Sequence, residues 1–165
     1  LTLKKSDAAP EVVLKLSDMM RYMLYESNEK RVPLEKEINY IKNYIDLEKL
    51  RQGKSVDIQV NVHGDTTGKY IAPLLFIPFL ENSFKHGVNR NITHAWVHID
   101  LGVEGDRLVF TVENNKPASA PPPQKSGGIG LKNVKRRLDL LYPDNHQLVI
   151  NDNETTYKTR LNLKL

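Results

Sequence analysis

The sequence predicts an α+β protein: a two-layer sandwich in which helices cover one face of a mostly antiparallel, mixed sheet. Three observations carry that expectation. Apolar residues recur at helical spacing in four segments. Apolar and polar residues alternate in five others, at 55–62, 94–103, 107–114, 146–152 and 156–165. Four of those five strands fall into two hairpins, which makes the sheet mainly antiparallel and leaves one helical layer to cover it.

The elements follow in order. Ser6 or Asp7 caps a first helix that runs to about Asn28, with Val12, Leu16, Met19 or Met20, Met23 and Leu24 at helical spacing. Pro33 and Glu35 open a second, in which Leu34, Ile38, Ile41 and Ile45 step by four, three and four and Gly53 is the C-cap. The stretch "SVDIQVNV" (55–62) is a half-buried strand, with Gly64 and Gly68 in the loop beyond. A third helix covers about 74–88. "HAWVHIDLGV" and "RLVFTVEN" alternate around Gly105-Asp106, a hairpin signal. Residues 115–128, "NKPASAPPPQKSGG", have too few apolar side chains to repay ordering and read as a mobile loop. A fourth helix follows Gly130, with Leu131, Val134, Leu138 and Leu141 on one face, and stops at Pro143. "HQLVIND" and "TYKTRLNLKL" close the chain as a second antiparallel pair, with Tyr157, Thr159, Leu161, Leu163 and Leu165 on a common face.

A chain of 165 residues, 39% hydrophobic and 27% charged, suits one domain with a helical extension. Its net charge of +4 is spread over interspersed signs, and the one dense basic cluster is Lys132, Lys135, Arg136 and Arg137. A solvated helix face explains that cluster, so no nucleic-acid partner is expected. The absence of cysteine excludes disulfides and thiolate metal sites. No stretch approaches the roughly 20 apolar residues of a membrane span, and the longest apolar run carries Pro73 and Pro78. No signal peptide is visible. The chain starts at Leu1 and enters an amphipathic segment almost at once, so it reads as a piece of a longer protein.

Chemistry concentrates in three places. In "IPFLENSFKHG" (77–87), a helical projection puts Ile77, Leu80, Phe84 and Val88 on one side and Asn82, Lys85 and His86 together on the other. A solvent-facing stripe is one reading. The other is a site for a phosphorylated ligand and its metal, because an asparagine offers an uncharged oxygen to Mg²⁺ and a lysine a mobile positive charge to a phosphate. The second place is "SGGIGLKNVKRRL" (126–138), where glycines enter a helix whose first N–H groups and dipole favour an anion. It has neither the Walker A spacing nor a surrounding βαβ unit. The third is "VFTVENNKP" (109–117), a strand ending in consecutive amides; turn formation explains them, and so does an acceptor oxygen that reads an adenine amino group.

The order of these features resembles the ATP-binding domain shared by gyrase, heat-shock chaperone, histidine kinase and mismatch-repair ATPases, the GHKL superfamily. More closely, the chain is similar to the LytS-like branch of sensor histidine kinases. "LSDMMRYMLYES" with "VPLEKEINYIKNYIDLEKLRQG" resembles that branch's helical lead-in, "IPFLENSFKHG" its N box, and "GGIGLKNVKRRLDLLYP" its glycine box and following helix. The likeness spans nearly the whole chain.

That resemblance implies a Bergerat-type ATP-binding fold over 31–165, preceded in 1–30 by the end of a dimerisation and phosphoacceptor helical region. It also implies ATP and Mg²⁺ as cofactors. Asn82 would ligate the metal, Lys85 would approach a phosphate and His86 would line the pocket. Asn114 would stand where the family usually has an aspartate that accepts the adenine amino hydrogen. Residues 115–128 would be the ATP lid, and Gly128, Gly130 and Leu131 the glycine box. Three departures accompany it. Asn114 is uncharged, Lys116 and Ala118 replace lid-hinge glycines, and Glu154-Thr155-Thr156 replaces the usual Gly-Thr, so that Thr155 or Thr156 takes the threonine's part.

Hydrolytic members of the superfamily place a glutamate four residues before the metal-binding asparagine, and here that residue is Pro78. The nearest carboxylate, Glu81, projects about 100° round the helix from Asn82 and is assigned to polarising the acceptor histidine. The five histidines, His63, His86, His94, His98 and His146, all lie beyond the helical lead-in, so the acceptor is expected upstream of the chain. The expected activity is therefore ATP:protein-histidine phosphotransfer. The expected partners are a homodimer mate through upstream helices and a cognate response regulator. The expected place is the cytoplasmic side of a bacterial inner-membrane sensor, attached to the membrane only through upstream segments. A non-catalytic module that keeps the fold and signals by protein contacts is the alternative.

Overall fold

The computed structural model describes residues 9–87, 94–116 and 129–165. The backbone packs as two compact units, Leu1–Gly53 with Thr67–Leu74, and Lys54–Thr66 with Leu75–Leu165. The start of the first helix at Ser6 or Asp7, the body of the expected lid loop, Val88 and Gly128 lie outside the described residues, as does the His86 side chain.

The first unit is helical. Helix α1 (Ala9–Arg21) runs into a π-helical turn, Tyr22–Glu26, closed by the Ser27 N–H on the Tyr22 carbonyl, an i to i−5 bond of 3.1 Å. The single helix expected to Asn28 thus continues past Arg21 to Glu26, its last turn wound as π-helix. Strand β1 (Val32–Pro33) leads into α2 (Leu34–Gln52), capped at Gly53 with φ 64. β1 pairs antiparallel with β3 (Tyr70–Ile71), a bridge that periodicity did not reveal because each strand is two residues long. Leu34, Ile38, Ile41 and Ile45 form the buried stripe of α2 as expected, joined by Tyr40. Helix α1 packs on α2, and Lys15 Nζ reaches Asp46 at 2.6 Å and Glu11 at 2.8 Å. On α1 the buried residue is Met19, while Leu16, Met20, Met23 and Leu24 stay exposed.

Glu37, wholly buried on α2, ties three segments of this unit together. Its Oε1 accepts from the Tyr22 hydroxyl and, at 2.5 Å, from the Leu74 backbone N–H. The Tyr22 ring lies 5.0 Å from that of Tyr40, and burial, then the Glu37 charge, push its phenol far above the ordinary value. Leu74 has φ 55. That left-handed conformation costs a non-glycine residue about 1–2 kcal/mol, and a hydrogen bond to a charged acceptor, about 1.5–3 kcal/mol, is large enough to hold it.

The second unit is the α+β sandwich that the sequence predicted. Its sheet has the order β2 (Val56–Gly64), β4 (Ala95–Glu104), β5 (Arg107–Asn115), β7 (Thr156–Lys164), β6 (His146–Asp152). Only β2 with β4 is parallel. Helix α3 (Ile77–Gly87) packs on β4, β5 and β7, and α4 (Ile129–Leu141) packs on α3 and β6. Phe76 and Phe79 stack on Phe110 of the central strand, with ring centres 4.6 and 6.2 Å apart. Helix α3 starts three residues later than expected, because the left-handed Leu74 turns the chain before it. On α4, Leu131, Val134 and Leu138 are buried as the spacing predicts, but Leu141 is 37% exposed. Among the described residues no helix is long and apolar enough to cross a membrane.

Gly64 ends β2 opposite Val103 with φ 89, and a Cβ there would lie 1.9 Å from the Val103 carbonyl oxygen. Gly68 has φ 68 but open space around it. Chemical denaturation should therefore separate the two: Gly68→Ala costs about 1–2 kcal/mol, while Gly64→Ala adds a backbone clash and costs more than about 3 kcal/mol. Equal losses would show that the β2–β4 approach at Gly64 is looser than this register requires.

Candidate functional site

On the helix-covered face of the sheet, residues line up in rows across the strands. One row is Val62, Leu101, Phe110, Leu161 and Leu148; the next is Val60, Ile99, Val112, Thr159 and Ile150. The last is Ile58, Val97, Asn114, Tyr157 and Asp152. An apolar surface thus turns polar over two rows, at the C-terminal end of the central strand β5, and the candidate site begins there.

Asn114 is wholly buried. Its Nδ2 donates to the Asn115 carbonyl at 3.0 Å, so the amide oxygen is the atom turned the other way. Asn115 is itself pinned, because its Oδ1 accepts from the Trp96 N–H at 2.9 Å and its Nδ2 donates to the His94 carbonyl at 2.8 Å. Among the described residues, Asn114 Oδ1 has no hydrogen-bond partner, and neither do the buried hydroxyls of Thr159 and Ser83. Leaving such a group unsatisfied costs about 1–3 kcal/mol. Three in one unit, two of them on adjacent rows of one sheet face, mark a surface that lacks its partner.

Tyr157 flanks Asn114 in register on β7. Burial raises its phenol above the ordinary value; Thr159 nearby lowers it, the Asp152 charge raises it, and the Asn82 amide lowers it. Asn82 of α3 is thus among the groups that act on the phenol flanking Asn114. Asn82 is half-buried rather than solvent-facing, because Ser83, Phe84, Leu80 and Phe79 take the fully buried side of α3. Lys85 and Glu81 are exposed. Lys85 lies three residues from Asn82 on the same flank, whereas Glu81 projects to the other side. Lys116 closes the end of the row: its Nζ pairs with Asp152 at 2.5 Å and its N–H bonds the Thr155 carbonyl at 2.8 Å.

Gly130 and Leu131 open α4, Gly130 exposed with nothing within 4 Å of a would-be Cβ and Leu131 buried. Of the two threonines named from the sequence, Thr155 is exposed in the β6–β7 turn and Thr156 pairs with Asn115, one step off the Asn114 row. The inward threonine is Thr159. The signal was present in the alternation, since Tyr157 and Thr159 continue the face of Leu161 and Leu163 with polar side chains. No cluster of three or more carboxylates and histidines able to hold a metal occurs among the described residues. A divalent cation at this site would take one neutral oxygen, from Asn82, and the rest from its ligand.

A family model described as histidine kinase matches residues 1–56. The sensor histidine kinase BtsS of Escherichia coli K12 is 26% identical over 162 residues, covering 98% of this chain and 28% of its own. The sensor protein LytS of Oceanobacillus iheyensis is 26% identical over 163 residues, covering 90% of this chain and again 28% of its own. The chain thus spans under a third of the length of these relatives. The histidine kinase domain of the Erythrobacter litoralis EL346 blue-light activated kinase superposes over 98% of this chain and 76% of its own, with TM-score 0.59 and 17% identity, a likeness of fold. In sequence along nearly its whole length the chain is similar to the LytS/BtsS-like sensor histidine kinases, and its fold is that of a histidine kinase catalytic domain.

Proposed function

We propose that the polar end of the sheet binds the adenine of ATP and that α3 binds its phosphates through Mg²⁺, for transfer of the γ-phosphoryl to a histidine outside these 165 residues. The observation that carries the reading is the buried, unpartnered Asn114 Oδ1. Its orientation, fixed by the Asn115 carbonyl, makes it an acceptor for an exocyclic amino group. Thr159 Oγ1, one row along, offers a second group to the base edge. Asn82, half-buried on α3, presents its amide oxygen to the metal. Lys85, exposed on the same flank, approaches a phosphate oxygen. Gly130 and Leu131 let backbone N–H groups at the start of α4 face the phosphate chain.

Bound Mg²⁺–ATP supplies the phosphoryl group and the charge neutralisation for its transfer. The bond from the γ-phosphorus to the β,γ-bridging oxygen breaks, an imidazole nitrogen of the acceptor bonds to phosphorus, and ADP leaves. Glu81, exposed on the same helix, polarises the acceptor imidazole and takes its proton. Water is not activated, because Pro78 occupies the position one turn before Asn82 from which a carboxylate would do so. Three of the chain's five histidines are engaged elsewhere: His63 beside Asp100 at 3.3 Å, His98 stacked 4.4 Å from Trp96, His146 on the Tyr142 carbonyl at 2.8 Å. In the full protein, residues 1–30 continue a dimeric helical region, the domain is cytoplasmic to a bacterial inner-membrane sensor, and a response regulator receives the phosphoryl group.

Titration of the chain with Mg²⁺ and a non-hydrolysable ATP analogue tests the reading. Asn82→Ala should abolish the Mg²⁺-dependent part of binding, and Lys85→Ala should weaken binding by roughly tenfold, a lost charge-assisted contact. Absence of wild-type binding at millimolar nucleotide would sink it. Asn114→Leu removes a hydrogen bond and an unsatisfied oxygen together, so it should leave the unfolding midpoint within about 1 kcal/mol of wild type while nucleotide affinity is lost. Steady-state phosphate release by the chain alone should stay at background and should rise when Pro78→Glu restores a carboxylate; vigorous release by the wild-type chain would contradict transfer as its task.

A further inference from the structure

We propose that Glu37 is a positioning residue for the nucleotide site: it latches the π-helical turn at Tyr22 to the backbone of Leu74, from which the chain enters α3. The inference rests on the reading of α3 as the nucleotide-binding helix.

A carboxylate with no exposed surface, among the buried Leu34, Ile38, Tyr40, Ile41, Ile45 and Glu48 of α2, is a poor choice for packing alone. What Glu37 does that an apolar residue cannot is hold two donors from different segments on one oxygen. One is the N–H of Leu74, held at φ 55. Leu75 and Phe76 follow, both fully buried, and the Phe76 carbonyl accepts the first N–H bonds of α3, from Phe79 at 3.1 Å and Leu80 at 3.3 Å. The conformation held at Leu74 is therefore the last one set before the helix that carries Asn82 and Lys85.

The other donor is the Tyr22 hydroxyl, at the point where α1 gives way to the π-helical turn. Such turns are frequent at functional positions, because one bond shift converts them to regular helix and rotates the residues on either side. On α1 and this turn, Leu16, Met20, Met23 and Leu24 stay exposed, an apolar stripe on which another helix can act. Loss of the Tyr22 hydroxyl removes one of these two donors from Glu37 and loosens its hold on the left-handed Leu74.

Nuclear magnetic resonance and analogue titration of the whole chain, in a cycle of Glu37→Ala and Leu74→Gly, test the latch. Glycine takes φ 55 without help, so Leu74→Gly removes the need for Glu37. Glu37→Ala alone should shift the α3 amide resonances and weaken Mg²⁺-analogue binding by roughly fivefold or more. In the Leu74→Gly background the same substitution should change affinity by less than about twofold; a loss as large there shows a packing role and overturns the latch. Should Glu37→Ala fail to fold, Tyr22→Phe decides: displaced α3 resonances support the proposal, and unchanged ones overturn it. If the wild-type chain binds no analogue, the nucleotide reading fails, and the α3 resonances alone judge the latch.

Discussion

The pairing of Asn114 with Val97 on one side and Tyr157 on the other is the constraint on which the site depends. Side chains alternate along a strand, so a slip of one residue would turn Asn114 outward and bring Glu113 or Asn115 to the helix-covered face. In the observed register the apolar rows centred on Phe110 and Val112 meet α3, through Phe76 and Phe79. Core and site are thus two ends of one face, and the core fixes the site's geometry.

That arrangement carries a cost. Asn114, Thr159 and Ser83 bury polar atoms without partners, which a domain selected for stability alone would replace with aliphatic side chains. Each deficit is small against the burial of Phe76, Phe79 and Phe110, whose truncation would cost about 3–5 kcal/mol each. The fold therefore tolerates the deficits, and a ligand that satisfies them stabilises the protein by binding. The uncharged Asn114 suits this role differently from an aspartate: fixed by the Asn115 carbonyl, it offers an acceptor without placing a charge in a fully buried position.

Much of the architecture was legible in the sequence because it rests on periodicity. The stripe of Leu34, Ile38, Ile41 and Ile45 and the alternation around Gly105 each repeat often enough to name their element. Features that rest on single contacts were not legible. The β1–β3 bridge is too short for a pattern, and the π-helical turn at Tyr22 leaves apolar spacing almost unchanged. The late start of α3 follows from the backbone of Leu74, held by a glutamate far away in sequence. Within the site, Asn82, Lys85 and Asn114 stood out as polar residues beside apolar runs. Thr159 did not, because a threonine in an alternating strand is ordinary until the structure shows it buried and unpartnered.

The central claim is that the unpartnered oxygen of Asn114 waits for a base amino group while Asn82 holds the metal on the phosphates. Crystals of the chain grown with Mg²⁺ and a non-hydrolysable ATP analogue test it most directly. The account predicts the adenine amino group within hydrogen-bond distance of Asn114 Oδ1 and the metal on Asn82 Oδ1. A nucleotide bound elsewhere, or one in this place with Asn114 Oδ1 still unpartnered, would contradict it.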